Sequence, residues 1–249
     1  MQALYRLAKY NSEEEANEKS IELYEECLPL NEEFYKDTAT ADYARNAYYI
    51  YSSMIDVYTD LAQKCEKNGD DKESVKWYEK AARTCDTMIL VAEKYMEFTE
   101  EAYKNYTLGS MFYQSALICK ELDWKSTAIS QLDSANGYLL KMQGGEYWSE
   151  VEMEVMRNLY MKGSLATDSY DLELAKECYK ELVDYASKSD GLYDKSQNGW
   201  NMAVIYYYEA VEKWMDILEN RENGADTETI RNLKKQRDAL ATMMKGKKK

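Results

Sequence analysis

The segment Ser20-Ile21-Glu22-Leu23-Tyr24-Glu25-Glu26-Cys27 decides the fold, because the chain repeats its pattern three more times. The matching segments begin at Ser74, Ala128 and Ala175, at successive offsets of 54, 54 and 47 residues. Each has a small residue, then an aromatic residue or leucine four positions later, and then a small or apolar residue three positions after that. This spacing places the three side chains on one face of an α-helix, where the small residue lets a neighbouring helix approach closely.

A second apolar stripe precedes each of these segments, so each unit is predicted to be a pair of helices joined by a turn. The stripes are Leu4, Leu7 and Ala8; Tyr58, Leu61, Ala62 and Cys65; Phe112, Ala116 and Cys119; and Leu159, Gly163 and Ala166. One proline in 249 residues agrees with long helices joined by short turns. We expect helices at about 2–10, 13–28, 40–68, 71–95, 98–121, 124–142, 149–167, 171–188, 194–221 and 227–244, with a further helical turn at 31–37.

Local signals predict where these helices begin and end. Ser12-Glu13-Glu14-Glu15 and Ser149-Glu150-Val151-Glu152 have the form of capping boxes, which mark helix starts. Asn68-Gly69-Asp70 predicts a left-handed helix end followed by an acidic N-cap. Further breaks are predicted at 143–145, 190–191 and 223–226, and Pro29 predicts the end of the second helix.

These positions resemble the repeat of the tetratricopeptide-repeat (TPR) superfamily. That repeat alternates bulky, small and aromatic residues, as at Leu4, Ala8, Ser20, Tyr24 and Cys27. Two further units match in the same way: Tyr58, Ala62, Ser74, Tyr78 and Ala81, then Phe112, Ala116, Ala128, Leu132 and Ala135. A fourth unit, with Leu159, Gly163, Ala175, Tyr179 and Leu182, fits less completely. The chain departs from the family in its longer period of about 50 residues and in lacking the proline that ends each repeat.

The resemblance implies an all-α fold in which antiparallel helix pairs stack as a right-handed superhelix. Residues 1–190 would form about four pairs, and residues 191–249 a C-terminal capping pair with a basic tail. The cap interpretation rests on an apolar stripe that includes Trp200, Ala203, Val204, Tyr207, Val211 and Trp214, and on a thinner one at Ile230, Leu233, Leu240 and Met244. Self-association through the last helix is the alternative, giving a homodimer. A generic helical bundle is the alternative to the repeat fold.

Composition argues against most enzyme classes. The chain has no histidine, which excludes Ser-His-Asp and Cys-His catalysis and histidine-ligated metal sites. It also has no phosphate-binding glycine loop, CxxC pair or nucleophile elbow. We therefore predict a non-enzymatic protein without catalytic residues, cofactor or metal, in which Asp70-Asp71 caps a helix. An enzyme with a carboxylate-based site is the alternative.

Charge and cysteine content indicate the setting. The net charge of 32 − 46 = −14 divides into +5 after residue 225, where eight basic residues face three acidic ones, and −19 before it. So acidic a body repels phosphate backbones and predicts no nucleic-acid binding. Five cysteines, most at inward-facing helix positions, fit free thiols in a reducing compartment, and the absence of a long apolar run predicts no membrane span, so we expect a cytoplasmic protein.

Tyrosine is the positive functional signal, at 24 residues against three phenylalanines. Tyrosine clusters such as 48–51 and 206–208 cannot turn every ring to one core, since consecutive helical residues diverge by about 100°. Such rings either pack between helices at a rim or form a ligand surface. In the family, inner positions of the first helix of each pair line a concave groove that holds a peptide or partner helix. The resemblance then implies a partner-binding groove containing Tyr5, Gln63, Tyr113, Lys120, Arg157, Tyr160, Ser164, Asn201 and Tyr208.

The predicted function is a scaffold or adaptor that recognises a protein or peptide segment in this groove. The cations Lys120 and Arg157 would suit an anionic group on the ligand. One alternative is an intracellular regulatory protein that senses a peptide through a TPR-like domain. Another is a phosphopeptide adaptor resembling 14-3-3 proteins, although that family needs a basic cluster and residues 43–51 contain only Arg45.

Overall fold

The computed structural model describes residues 1–13, 16–96, 100–145, 148–189, 200–221 and 227–245, and over these residues the fold is all-α, without strands. The helices are α1 (Gln2–Glu13), α2 (Asn17–Tyr35), α3 (Thr40–Lys67), α4 (Asp71–Tyr95), α5 (Glu101–Glu121), α6 (Lys125–Leu139), α7 (Trp148–Asp168), α8 (Leu172–Ala186), α9 (Trp200–Asp216) and α10 (Thr227–Lys245). A 3₁₀ turn follows α6 at Leu140–Met142, and a π-helical turn follows α9 at Ile217–Arg221. Neighbouring helices pack in pairs, α1 on α2, α3 on α4, α7 on α8 and α9 on α10, which confirms the all-α, paired-helix prediction.

The chain divides into two compact units, Met1–Tyr138 and Leu139–Lys249. Each unit has its own core. The first is built around buried residues such as Tyr24, Ile55 and Met88, and the second around residues such as Met156 and Leu182. The predicted domain boundary at residue 190 lies outside the described residues and stays a prediction.

The turn inside each helix pair has one geometry in all four repeat units. The backbone N–H of the residue before the second helix donates to the carbonyl five residues earlier: Ala16 to Asn11 (2.8 Å), Asp70 to Cys65 (2.9 Å), Trp124 to Cys119 (2.8 Å) and Asp171 to Ala166 (2.9 Å). This is the long hydrogen bond of a Schellman motif, which requires a left-handed residue in the turn. Gly69, Asp123 and Tyr170 supply it, with φ of +77°, 57° and 61°, and they are spaced by the same 54 and 47 residues as the helical pattern.

The predicted signals around Gly69 are confirmed. Gly69 is left-handed, and the Asp70 carboxylate accepts from the Glu73 backbone N–H at 3.2 Å, which caps α4. The equivalent Asp171 accepts from the Leu174 N–H at 3.1 Å. The predicted break at 143–145 is also confirmed, with Gly144 at φ +80° between the 3₁₀ turn and α7. The breaks predicted at 190–191 and 223–226 lie outside the described residues.

Two predicted helix boundaries are wrong. Ser12 does not begin a helix, because Ser12 and Glu13 are the last residues of α1 and α2 begins at Asn17 without a side-chain cap. The turn geometry shared by the four units fixes this boundary instead of the capping-box pattern. The other predicted capping box, at Ser149, lies at the first turn of α7, and the structure does not describe that side chain.

Pro29 does not end α2, which continues to Tyr35. Proline removes the backbone donor to the carbonyl of residue 25, but Glu25 and Pro29 both lie on the exposed face, where water can hydrate that carbonyl. The continuation is held from the other side. Buried Asn31 donates from Nδ2 to the Tyr43 carbonyl of α3 at 2.9 Å.

The small residues of the pattern bring paired helices together, as the sequence predicts. Ala8, Ala62 and Ala116 are fully buried, and the Ser20 hydroxyl donates to the Ala8 carbonyl at 2.8 Å. The closest approach is at Gly163 of α7, where an added Cβ would lie 2.7 Å from Cε1 of Tyr179 on α8. Tyr179 is 1% exposed, so this tyrosine is a packing residue.

All five cysteines are free thiols, as predicted, and all but the half-buried Cys65 are buried. Burial raises the pKa of the thiols of Cys27, Cys85 and Cys119, so these groups stay protonated at neutral pH.

Candidate partner-binding surface

The long period of the chain produces extra helical turns before the second, third and fourth units. A TPR unit has about 34 residues, and units in the register given above start at residues 1, 55, 109 and 156. Yet α3 begins at Thr40, α5 at Glu101 and α7 at Trp148, which is 15, 8 and 8 residues before the corresponding unit. These added turns extend the first helix of each pair and therefore extend the surface that those helices present.

The added turns of α3 and α5 carry a cluster that we call the tyrosine patch: Tyr48, Tyr49, Tyr103 and Tyr106. Tyr49, Tyr103 and Tyr106 are 48%, 36% and 43% exposed, so their rings do not belong to the core. The rings of Tyr48 and Tyr49 have centroids 5.3 Å apart, and the phenols of Tyr49 and Tyr103 are hydrogen-bonded. Partial burial, and then the neighbouring phenols, raise the pKa of Tyr48, so this cluster is neutral at physiological pH.

Farther along α3 and α5 an open cleft of about 680 Å³ lies between the helices, and we call it the acidic cleft. Four carboxylates face one lysine among its lining residues, which gives the cleft a local charge of 1 − 4 = −3. Its apolar part includes Leu117, which is 36% exposed. The lining residues are Asp56, Thr59, Asp60, Gln63, Glu66, Lys67, Tyr78, Gln114, Leu117, Ile118 and Glu121.

The cleft walls hold its carboxylates in a partly dehydrated environment. Burial, and then the charge of Asp60, raise the pKa of Asp56, although its side chain still reaches solvent within the cleft. The Gln114 amide donates from Nε2 to Asp56 Oδ1 at 3.5 Å and links α5 to α3. At the base of the cleft, burial and the charges of Glu66 and Glu121 raise the pKa of Tyr78 to about 12.

The tyrosine patch and the acidic cleft lie on one face of these helices. Tyr49, Asp56 and Gln63 are spaced by seven residues along α3, and seven residues return a helix to within about 20° of the same direction. Tyr103 and Leu117 are related by two such steps on α5. Along α3 the distance from Tyr49 to Asp56 is therefore about 10 Å, and one ligand segment can contact both regions.

Four of the residues predicted to bind a partner lie in the first unit. Gln63 is exposed and lines the acidic cleft. Tyr5 lines a smaller cleft of about 130 Å³ that also contains Tyr49, and its phenol lies 3.1 Å from the Ser53 hydroxyl. Tyr113 is half-buried on α5, and Lys120 is exposed and paired with Glu121 at 3.2 Å.

The other predicted residues lie in the second unit, on α7 and α9. Arg157 is half-buried and paired with Glu154, and Ser164 is half-buried on the same helix. Tyr160 packs between α7 and α9, with its ring centroid 5.6 Å from that of Tyr206. Burial and a hydrogen bond with Glu209 raise the pKa of Tyr160.

The Tyr208 phenol donates to Glu212 Oε1 at 2.8 Å on the exposed face of α9. The side chain of Asn201 lies outside the described residues. Lys120 and Arg157, the cations expected to meet an anionic ligand, are thus both already paired with carboxylates of their own helices.

Reasoning from the sequence missed the acidic character of the cleft. Its carboxylates come from three helices, and only the packing of α5 beside α3 brings Glu121 to Asp60 and Glu66. The available signal was the seven-residue spacing of Tyr49, Asp56 and Gln63 within a 28-residue helix.

A second cleft of the first unit, of about 570 Å³, lies beside the stacked rings of Tyr58 and Trp77. Here the Lys80 ammonium lies 4.0 Å from the centroid of the Trp77 ring, so this aromatic surface already holds a cation of the chain itself.

Comparison with known proteins identifies the repeat type. The tetratricopeptide repeat model matches residues 157–189, the segment that holds Gly163 and Tyr179. The chain has a TPR-like helical repeat fold. The match falls on the unit with the least complete pattern, and its 33 residues have the length of an ordinary repeat.

Several solved structures are similar to this TPR-like chain at low sequence identity. BtubC (BKLC) from P. vanneervenii is 13% identical, with 98% of this chain and 81% of that chain covered and a TM-score of 0.49. A putative kinesin light chain from Podosopora anserina with nearly identical TPR-like repeats is 12% identical, with 100% and 97% covered and a TM-score of 0.48. The de novo designed helical repeat protein DHR64 is 17% identical, with 82% and 98% covered and a TM-score of 0.46. No curated protein matched the sequence.

Two further properties concern only the part of the chain that the structure describes. Within it, no helix is both long and apolar enough to cross a bilayer. In the same residues, cysteine and carboxylate side chains form no group of three or more that could hold a metal ion.

Proposed function

We propose that this protein is a non-enzymatic scaffold or adaptor that binds a segment of a partner protein, and that the acidic cleft and the tyrosine patch form its binding face in the first unit. TPR-like repeats generally mediate protein–protein interactions. The observation that carries the proposal is the open cleft on the face of α3 and α5, continuous with exposed aromatic residues.

The chemistry of this face suits recognition. Tyrosine offers a large contact area with few rotatable bonds and is enriched at binding hot spots. Exposed Tyr49 and Leu117 provide apolar contact, while Gln63 and Gln114 provide amide groups that can bond a peptide backbone. The other predicted residues belong to the proposal as further contact positions: Tyr5, Tyr113 and Lys120 in the first unit and Arg157, Tyr160, Ser164, Asn201 and Tyr208 in the second.

We also propose a cytoplasmic location, supported by the five free thiols, which suit a reducing compartment. For the C-terminal helices we favour a cap, because Ile230, Leu233 and Leu240 of α10 are buried in the core of the second unit. A homodimer through α10 would then use its exposed residues, such as Met244. Light scattering after size exclusion, on the full chain and on Met244→Glu, tests this, since a monomer mass for both rejects the dimer.

Site-specific photo-crosslinking tests the scaffold function. A benzophenone amino acid replaces Gln63 in the acidic cleft or, as the control, Leu90, which is 66% exposed on α4. Crosslinking in the native cell followed by mass spectrometry should yield a discrete protein adduct from position 63 and none of equal abundance from position 90. Equal yields from both positions, or no adduct from position 63, would refute the proposed binding face.

A further inference from the structure

We propose that the acidic cleft and the tyrosine patch together select a partner segment that carries arginine, with one guanidinium group on the tyrosine rings and another paired with Asp56 and Asp60. This inference rests on the proposed function and names the chemistry of the partner that this face accepts.

The charge of the cleft points to a cationic ligand. Asp56, Asp60, Glu66 and Glu121 line it beside a single cation, Lys67. Asp56 lies where burial weakens its hydration, which strengthens its attraction for an approaching cation relative to a carboxylate in open solvent. A cationic segment therefore gains interaction energy here, whereas an acidic one is repelled.

The tyrosine patch is an independent observation that points to the same ligand. Three of its rings are exposed next to a cleft of opposite charge to a guanidinium group. A cation over an aromatic face is attracted by the ring quadrupole, and the chain itself provides an example at Lys80 and Trp77. The planar guanidinium group stacks on rings and pairs with carboxylates through two parallel bonds, so arginine suits this combination better than lysine.

The geometry sets the spacing of the two cations. Tyr49 and Asp56 are about 10 Å apart along α3. An extended peptide advances about 3.3 Å per residue, so about three residues span this distance. The expected motif is arginine, two intervening residues, and arginine.

Synthetic peptides test the proposal directly. The probe is a fluorescein-labelled peptide with an Arg-Gly-Ser-Arg core, and the comparison peptides replace both arginines by lysine or by glutamate. Binding is measured by fluorescence anisotropy at about 0.15 M salt, where exposed charges are substantially screened. We expect the arginine peptide to bind more tightly than the lysine peptide and the glutamate peptide not to bind.

Matched variants separate the site from the general acidity of the chain. Asp56→Asn with Asp60→Asn removes two carboxylates four residues apart, and Glu177→Gln with Glu181→Gln removes two with the same spacing on the exposed face of α8. The first pair should weaken binding of the arginine peptide about threefold to tenfold, and the second should change it less than twofold. Tyr49→Ala should also weaken it about threefold or more, whereas Tyr10→Ala, at a 57% exposed position, should not.

Equal losses from both carboxylate pairs, or no binding of the arginine peptide to the unmodified chain at 1 mM peptide, would overturn the proposal. So would tighter binding of the lysine peptide. The photo-crosslinking result is independent of these outcomes. A discrete adduct at position 63 together with failure of the arginine peptide would reject the arginine specificity and leave the scaffold function standing.

Discussion

The close approach of Gly163 to Tyr179 makes a substitution that usually stabilises helices a destabilising one here. Alanine in place of an interior helical glycine normally gains about 1 kcal/mol. At Gly163, however, the new Cβ would lie 2.7, 2.9 and 3.1 Å from Cε1, Cζ and Cδ1 of Tyr179. Carbon atoms prefer separations of about 3.5 to 4.0 Å, so the buried ring must move by close to 1 Å.

Overpacking of this kind costs about 1–3 kcal/mol. Set against the gain in helix propensity, Gly163→Ala should lower the free energy of unfolding by about 1 kcal/mol, with about 2 as the upper value. For a unit of this size that corresponds to a decrease in Tm of roughly 4 °C. Circular dichroism at 222 nm during thermal and urea unfolding measures both quantities.

Gly137 provides a matched control. It lies inside α6, is exposed, and an added Cβ there would meet no atom within 4 Å. Gly137→Ala should therefore stabilise the chain by the full helix-propensity gain, about 1 kcal/mol.

A double mutant identifies the ring as the cause. The third unit has leucine, Leu132, at the position equivalent to Tyr179 and pairs it with Ala116. In a Tyr179→Leu background, Gly163→Ala should become neutral or stabilising, with a coupling energy of about 1–3 kcal/mol. If Gly163→Ala stabilises the unmodified chain as much as Gly137→Ala does, or if the coupling energy is zero, the packing argument is refuted.

Three further predictions concern single side chains. Tyr170 is left-handed and 85% exposed, so Tyr170→Gly should raise the free energy of unfolding by about 0.5–1 kcal/mol in urea denaturation, and a decrease would contradict the strain argument. Pro29 lies inside α2 on its exposed face, so Pro29→Ala should stabilise the chain by about 2–3 kcal/mol with increased ellipticity at 222 nm, and an unchanged Tm would show that proline costs nothing there. Folding raises the pKa of Tyr78 from 10.0 to about 12, so its stabilising contribution is complete below pH 10 and is lost as the pH rises to 12. Tyr78→Phe should therefore reduce the slope of Tm against pH in that range, whereas Tyr10→Phe should leave it unchanged.

The sequence predicted the helices and their pairing because the spacing of apolar residues records which face each helix buries. Pro29 was misinterpreted because a local rule ignores the contact that Asn31 makes with α3. The left-handed turns at Asp123 and Tyr170 could not be identified from residue type, since non-glycine residues rarely adopt that conformation. They could be recognised only by their spacing from Gly69.

The candidate binding face was predictable in part. Gln63 was identified from its repeat position, and the tyrosine cluster at 48–51 was noticed as too dense for one core. The charge of the acidic cleft was not predictable in this way. It depends on how far α5 is shifted along α3, because that axial shift decides which residues of the two helices become neighbours, and no pattern within either helix specifies it.

The identical turn in all four units has a consequence for how such a protein can diversify. Insertions and deletions have accumulated at the end of the helix pair away from that turn, where α3, α5 and α7 lengthen by different amounts. The joint and the recognition surface are thus carried by separate segments of each repeat. Lineages, or designers, can lengthen, shorten or exchange residues 40–54 and 101–108 to change ligand preference while each hairpin continues to close in the same way.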